Sequence, residues 1–524
     1  MIVKKIFNRL HPNILVIISG ILVITGFPPL KLGFISYMAL IPLIYAFERD
    51  KFNLGVEKGF LFGVMLNLGI LYWLSLNKGT EWYWAVLSMI SAVLFLSLNY
   101  AMIGFIFGLL GKKLGAIKAI ALLPVIWVSI EYLRSLGRFG FTWNNLCYTQ
   151  LYFLPLIQIS DIFGSFGLSF FVVMVNSILY LLFFKNISLR ARKILLSFIC
   201  ISFAIVFIYG IIRISMYSEK SNKGKFIRVG IVQPNIDPNE KWTKIYYDDV
   251  MNTLYNYTDS VAEHNVNLVV WPETAVPVYL RLNQHGEMVR IRNKMKEHKV
   301  YLLTGVPDFK RIGGEYKYYN SAFLIPPDEG SIPTYSKLRL VPLGEYIPLS
   351  SVFPELGNIN FGQGNFESGD SITIFKINTS NTSDTNSKSE VKFTVAICYE
   401  SSFPDIVRKG VKKGSEMLVV ISNDAWFGMT SAPYLHAEIS RFRAVENRIP
   451  VVRAANTGVS MIIMPDGKVK RKIGFNKKGY LVADVLTGTG SLNTKIGDWF
   501  SILNTITLAV LIVAIFIKRK EENR

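Results

Sequence analysis

Residues 391–398 read VKFTVAIC, a short run rich in apolar and β-branched side chains that ends at Cys398. Runs of this length and composition are typical of buried β-strands. Four similar runs occur in the same part of the chain, at residues 226–233, 267–271, 300–305 and 417–422. Helical patterns separate some of these runs, at residues 244–263 and 436–447. The alternation predicts an α/β layered domain over residues 226–490.

Long uncharged apolar runs dominate the chain before this domain. Charged residues make up 18% of the sequence, against about 25% in a soluble protein. At about 20 residues per bilayer crossing, we expect spans at residues 12–27, 32–47, 59–76, 82–110, 117–134, 165–184, 194–215 and 499–517. The predicted organisation is a membrane domain with seven transmembrane helices, then the α/β domain, then a last transmembrane helix with a tail (residues 1–218, 226–490 and 495–524).

Basic residues near the ends of these spans predict the orientation. Four clusters lie before the first span and after the fourth, sixth and eighth: Lys4, Lys5 and Arg9; Lys112 and Lys113; Lys185, Arg190, Arg192 and Lys193; Lys518, Arg519 and Lys520. All four fall on one side if both termini are cytoplasmic. The α/β domain is then outside. Much of the basic excess behind the formal net charge of +20 is therefore expected to lie in cytoplasmic loops beside anionic lipid, and no nucleic-acid partner is expected.

Three segments of the α/β domain carry residues capable of nucleophilic catalysis. Glu273 lies in WPET (residues 271–274), Lys337 and Glu345 lie in YSKLRLVPLGEYIP (residues 335–348), and Cys398 precedes Tyr399 and Glu400. A thiol attacks when it is ionised or has a base beside it. A carboxylate can accept its proton, and an ammonium group can stabilise an oxyanion. Taken singly, each residue also suits a core or surface role, and spacing alone leaves their convergence open.

The sequence offers little for metal chemistry. The five histidines are scattered, and the chain contains neither HExxH nor paired CxxC spacing. We therefore expect no metal and no cofactor. A serine hydrolase is disfavoured because no GxSxG motif occurs.

Glu273, Lys337 and Cys398, in the contexts quoted above, resemble the Glu-Lys-Cys triad of the nitrilase (carbon–nitrogen hydrolase) superfamily. NDAWFG and RAVEN, at residues 423–428 and 443–447, look like further parts of its signature. The spans before and after the domain resemble a membrane-embedded branch, the apolipoprotein N-acyltransferase family. FPP, EYLR and GFTW, at residues 27–29, 131–134 and 140–143, extend the resemblance. Two departures are Arg339, where the family often has His, and a polar stretch at residues 378–390 that looks like a looped insertion.

The resemblance implies a four-layer α-β-β-α sandwich and the last step of bacterial lipoprotein maturation. Cys398 would take an acyl chain from a membrane phospholipid as a thioester, with Glu273 as the base and Lys337 at the oxyanion. The acceptor would be the α-amine of a diacylated lipoprotein. Supporting roles fall to Glu345, Tyr399 and Glu400, and substrate-binding roles to Trp242 and Trp143.

The family would also place the protein in the bacterial inner membrane, with its catalytic domain on the periplasmic side, and as a monomer. The alternative function is a membrane-tethered nitrilase-type amidase that hydrolyses a small periplasmic amide. It would use the same three residues with water as the second nucleophile.

Overall fold

The computed structural model describes residues 2–220, 225–282, 286–347, 365–380 and 388–522. The chain forms two compact units. The first, called here the helical unit, comprises Met1–Leu74, Leu87–Ser215 and Ile496–Arg524. The second, called here the α/β unit, comprises Ser75–Val86 and Met216–Lys495.

The helical unit is built from helices, most of them apolar. They are α1 (Ile2–Arg9), α2 (Pro12–Thr25), α3 (Ile41–Arg49), α4 (Gly55–Leu71), α5 (Trp82–Leu114), α6 (Ala116–Ser135), α7 (Leu154–Ile157), α8 (Ser160–Phe184), α9 (Leu189–Lys220) and, near the C-terminus, α16 (Trp499–Glu522). Short 3₁₀ helices cover Gly33–Tyr37, Tyr72–Leu76 and Leu146–Gln150. Within the described residues, six helices are long and apolar enough to cross a membrane: α4 with its 3₁₀ extension, α5, α6, α8, α9 and α16.

The first two predicted spans are shorter than expected. Helix α2 has 14 residues, or about 21 Å at 1.5 Å per residue, against a hydrocarbon core of about 30 Å. The second predicted span divides into the 3₁₀ turn Gly33–Tyr37 and the nine-residue α3. Pro28 and Pro29 follow α2 and cannot extend it, because proline has no N–H to donate. The predicted count of about eight spans is therefore approximately met.

Two six-stranded sheets form the centre of the α/β unit. The strands are β1 (Phe226–Gln233), β2 (Leu268–Val270), β3 (Tyr301–Ile312), β4 (Glu315–Ile325), β5 (Thr334–Ser336), β6 (Phe375–Ser380), β7 (Lys388–Ile397), β8 (Met417–Ser422), β9 (Val451–Ala455), β10 (Ser460–Ile463), β11 (Val469–Ile473) and β12 (Gly479–Leu486). The strand orders are β12-β1-β2-β3-β4-β5 and β11-β10-β9-β8-β7-β6. The pairs β1–β2, β2–β3, β7–β8 and β8–β9 are parallel.

Four helices cover the outer faces of the sheets: α11 (Tyr247–Ala262), α12 (Glu287–His298), α13 (Pro404–Lys412) and α14 (Ala432–Asn447). Two short helices, α10 (Pro238–Lys241) and α15 (Leu492–Ile496), complete the set. One buried cluster lies between the sheets and includes Val229 and Val395. A second joins α11 and α12 to the first sheet, and a third joins α13 and α14 to the other. Both faces of each sheet are therefore buried, which confirms the predicted four-layer α-β-β-α fold.

In the α/β unit, two segments differ from their predicted structure. Strand β3 continues beyond residue 305 and pairs with β4 in a hairpin, turning at Gly313 and Gly314, both with positive φ. The polar stretch 378–390 is not wholly a loop, because its two ends pair as antiparallel strands from Asn378↔Glu390 to Ser380↔Lys388. Ladder bonds join backbone groups, so a polar sequence does not prevent the pairing. Residues 381–387 lie outside the described part of the chain.

Candidate active site

Cys398 lies where β7 leaves its sheet. Val395 and Ile397 face the core between the sheets. Cys398 then adopts a φ of 53° and begins the 3₁₀ helix Cys398–Ser402. Few residues other than glycine adopt this left-handed conformation, and such strain is concentrated at functional sites. The thiol is thus presented on a sharp turn that follows the strand.

Glu273 lies in the turn after β2 and is 6% exposed. The Nδ2 atom of Asn320 donates to its Oε1 at 2.8 Å. The backbone N–H of Asn423 donates to its Oε2 at 2.9 Å. Because both oxygens are held, the carboxylate has a fixed direction.

Lys337 follows β5 and is 1% exposed. Its Nζ donates to Glu345 Oε1 at 2.7 Å and lies 3.6 Å from Glu273 Oε1. Burial opposes the charge, but Glu345 and Glu273 outweigh it and raise the pKa of the ammonium group above its ordinary value. Lys337 is therefore a permanent cation held between two carboxylates.

Glu273 and Lys337 both influence the ionisation of Cys398. Burial and the charge of Glu273 raise the pKa of the Cys398 thiol well above its ordinary value, and Lys337 opposes the rise. The resting side chain is therefore a thiol, and it needs a base in order to attack. Glu273 and Lys337 lie 3.6 Å apart and both act electrostatically on the Cys398 thiol, a relation that their spacing in the sequence left open.

Glu400 connects the Cys398 turn to the segment that carries Lys337. Its Oε1 accepts from the Tyr335 hydroxyl at 2.9 Å and from the Leu338 N–H at 2.6 Å, and its Oε2 accepts from the Ile397 N–H at 2.8 Å. The neighbouring Tyr399 packs edge-on against Phe403, with ring centroids 4.9 Å apart. Tyr399 and Glu400, two of the three predicted supporting residues, are thus buried next to Cys398 in the chain.

Asn320 belongs to the site, although sequence analysis did not single it out. Its Nδ2 donates to Glu273 and, at 3.2 Å, to Glu345 Oε1. It lies on β4, the strand of the hairpin that the prediction missed. The Gly313-Gly314 pair between two strand-like runs is a recognised hairpin signal. This signal predicts a second strand that pairs with β3 and contains Asn320.

A second polar network that the sequence did not reveal lies behind Cys398. Asp424 Oδ1 lies 2.8 Å from His436 Nδ1, and Arg453 donates to Asp424 Oδ2 at 2.8 Å. His436 Nε2 lies 3.0 Å from the Cys398 carbonyl oxygen. Although burial alone would raise it, His436 and Arg453 hold the pKa of Asp424 well below its usual range. The network therefore contains a buried anion neutralised by arginine.

Cys398, Asp424 and His436 also form a group with metal-ligating side chains, because their potential ligand atoms lie within 4.8 Å of one another. Both carboxylate oxygens of Asp424 are already hydrogen-bonded, one to the Arg453 guanidinium. A metal cation would have to displace that guanidinium or share its charge environment. The donor set suits hydrogen-bonded support of the turn better than it suits a metal ion.

The two tryptophans predicted to bind substrate lie in different units. Trp242 follows α10 in the α/β unit and is 51% exposed. Trp143 is buried in the helical unit, where its ring lies 5.4 Å from that of Trp73. Their predicted roles stay predictions.

Two protein-family models and several named proteins are similar to this chain. Residues 228–491 match the Carbon-nitrogen hydrolase family, and residues 19–178 match the Apolipoprotein N-acyltransferase N-terminal domain. The apolipoprotein N-acyltransferase of Geobacter metallireducens is 32% identical over 97% of this chain and 95% of its own length. Proteins with the same name from Chlorobaculum tepidum and Haemophilus influenzae are each 29% identical, over 90% and 89% of this chain and 90% and 87% of their own lengths.

Among solved structures, a mutant amidase from Nesterenkonia sp. AN1 is 18% identical, with a TM-score of 0.35. The match covers 49% of this chain and 93% of the amidase chain.

Proposed function

Because the chain belongs to the apolipoprotein N-acyltransferase family, we propose that it moves an acyl chain from a membrane phospholipid to a lipoprotein. The acceptor is the α-amine of an N-terminal S-diacylglyceryl cysteine. The observation that carries the mechanism is the buried Lys337 ammonium, 2.7 Å from Glu345 and 3.6 Å from Glu273, beside the Cys398 thiol. This is a site for acyl transfer through a thioester.

In the first half-reaction, Cys398 Sγ attacks the ester carbonyl carbon while its proton passes to Glu273. The carbonyl oxygen becomes an oxyanion, which the Lys337 ammonium and backbone amides stabilise. The C–O bond to the glycerol then breaks, and the departing oxygen takes the proton from Glu273. Lysophospholipid leaves, and the acyl chain remains on Cys398 as a thioester.

In the second half-reaction, the neutral α-amine attacks the thioester carbonyl carbon, and Glu273 accepts a proton from the amine. The C–S bond breaks as the amide forms. Glu273 returns its proton to the sulfur, which restores the thiol. Each half-reaction thus uses one carboxylate as base and then as acid.

The remaining predicted residues have supporting roles in this proposal. Glu345 orients Lys337 and balances its charge, because Oε1 accepts from Nζ while Oε2 accepts from the Val341 N–H at 2.9 Å. Glu400 and Tyr399 fix the turn that holds the nucleophile. Trp242 and Trp143 contact the lipid substrates. The protein acts as a monomer and uses neither metal nor cofactor.

The acyl acceptor distinguishes this function from the amidase alternative. A synthetic diacylated lipopeptide, incubated with the purified protein and phospholipid vesicles, is expected to gain the mass of one acyl chain on its α-amine. An equal amount of lysophospholipid should form, and mass spectrometry of the lipopeptide and lipids measures both. Release of free fatty acid without acylation of the lipopeptide would favour hydrolysis instead.

The proposed location is the bacterial inner membrane, with the α/β unit on the periplasmic side and both termini cytoplasmic. Six long apolar helices and the clustered basic residues support it. A fluorescent reporter that matures only in the cytoplasm should fluoresce when fused after Lys520. It should stay dark when inserted within residues 381–387. The reverse pattern would contradict the orientation.

A further inference from the structure

Lys241 is a buried amine outside the predicted triad. It is the last residue of α10 and is 2% exposed, whereas the next residue, Trp242, is 51% exposed. Its Nζ donates to Thr274 Oγ1 at 3.0 Å and lies 3.4 Å from the carbonyl oxygen of Glu273. Burial lowers the pKa of Lys241 to about 7, although Glu273 opposes that shift. Burying an amine costs free energy unless hydrogen bonds compensate for the lost hydration. The hydrogen bonds of Lys241 go to the turn that contains Glu273 and Thr274.

The turn that Lys241 contacts is strained. Thr274 has a φ of 45°, in the left-handed region that β-branched residues rarely adopt. Gly305 packs against this turn, and a Cβ atom there would lie 2.5 Å from the Thr274 nitrogen and 2.6 Å from Glu273 Cα. The Gly305 N–H also donates to the Pro272 carbonyl at 3.2 Å. A strained backbone conformation persists only where several neighbouring contacts hold it in place. The hydrogen bond from Lys241 to Thr274 is one of these contacts.

The segment before Lys241 also reaches the carboxylate end of Glu273. The Ile236 N–H donates to Asn456 Oδ1 at 3.0 Å, and Asn456 Nδ2 donates back to the Ile236 carbonyl at 2.7 Å. The same Nδ2 lies 3.1 Å from Asn423 Oδ1, and the Asn423 N–H donates to Glu273 Oε2. Residues 236–242 therefore connect to Glu273 from two directions, through its backbone and through its carboxylate.

We propose that Lys241 is a positioning residue that fixes the backbone of Glu273 and couples the seating of the Trp242 segment to the alignment of that carboxylate. The inference rests on the proposed role of Glu273 as the proton acceptor. When residues 236–242 are seated, the Lys241 amine holds Thr274 and the Glu273 carbonyl, and the carboxylate points at Cys398. When the amine is removed, the strained turn relaxes and the carboxylate loses its alignment.

Lys241→Met tests this proposal, because methionine keeps the length of the side chain and removes the amine. We expect kcat for acyl transfer to fall about tenfold, the effect of losing a hydrogen bond from a polar or charged donor. The KM values for phospholipid and lipopeptide should change by less than about twofold, because the interaction acts on the transition state. Lys296→Met, at an exposed position on α12, is the matched control and should leave kcat unchanged.

A double-mutant cycle separates positioning from general damage to the fold. Thr274→Val removes the hydroxyl acceptor and keeps the β-branched shape, so it should reproduce most of the loss in kcat. In the Thr274→Val background, Lys241→Met should add less than about twofold, because coupled residues are not additive. Independent losses that multiply, or a wild-type kcat in Lys241→Met, would overturn the proposal. A wild-type protein that transfers no acyl chain would instead refute the proposed function.

Discussion

Replacing Cys398 with alanine is expected to abolish acyl transfer while leaving the protein folded. Alanine removes the only atom that forms the thioester, and losing a nucleophile lowers kcat by about 10⁶-fold in well-studied hydrolases. After incubation with phospholipid alone, the wild-type protein should gain one acyl mass that hydroxylamine removes. The variant should gain none. Intact-protein mass spectrometry measures both.

A matched thiol control is available in the helical unit. Cys200 lies on α9 and is exposed, so Cys200→Ala should keep full activity and the full acyl adduct. Circular dichroism and thermal unfolding of Cys398→Ala should match the wild type, since the change removes one sulfur atom. Acyl transfer by Cys398→Ala at the wild-type rate would rule out the thioester mechanism.

Glu273→Gln should produce the second-largest loss. The Cys398 thiol has a raised pKa, so the thiolate is scarce and attack depends on transfer of the proton to Glu273. Removing a general base of this kind lowers the rate by about 10²- to 10⁴-fold. Glutamine also introduces an amide where Asn320 Nδ2 and the Asn423 N–H both donate, so one of those donors loses its acceptor. Single-turnover formation of the thioester isolates the effect.

The pH profile of this variant gives a sharper result. Without a base, only the ionised fraction of Cys398 can attack. Below the pKa of the thiol, that fraction grows about tenfold per pH unit. The logarithm of the rate of thioester formation by Glu273→Gln, plotted against pH, should therefore have a slope of about one. The wild type should not show this slope, because its carboxylate accepts the proton. Glu263→Gln, at an exposed position, is the control and should retain the wild-type profile.

Local sequence patterns predicted five of the twelve strands in the described part of the chain, namely β1, β2, β3, β7 and β8. Strands β1 and β8 have the predicted bounds, because continuous β-branched runs between two covered faces leave few alternatives. The hairpin of β3 and β4 was missed beyond residue 305: its outer half is polar and exposed, and the buried half of β4 was not recognised as a strand. Asn320 was missed with it. Predicting that Asn320 donates to Glu273 would have required recognising the turn at Gly313 and Gly314.

The first two predicted spans show a similar limit. The length of an apolar stretch indicates how many residues avoid water. It does not indicate whether those residues form one continuous helix. Pro28 and Pro29 follow the first stretch, and Pro42 lies within the second, in the first turn of α3. Helices α2 and α3 are 14 and 9 residues long. Hydropathy alone therefore overestimated the length of both helices.

The sequence by itself determined which parts are apolar helices and which are buried strands, and which side chains carry a thiol, a carboxylate and an amine. These properties depend on a few consecutive residues. The tertiary structure decided that Lys337 is a buried cation, that Cys398 rests as a thiol, and that the Lys241 amine donates to Thr274 next to Glu273. Charge and burial act through space between residues far apart in the chain, so the fold had to bring them together before the chemistry of each group was set.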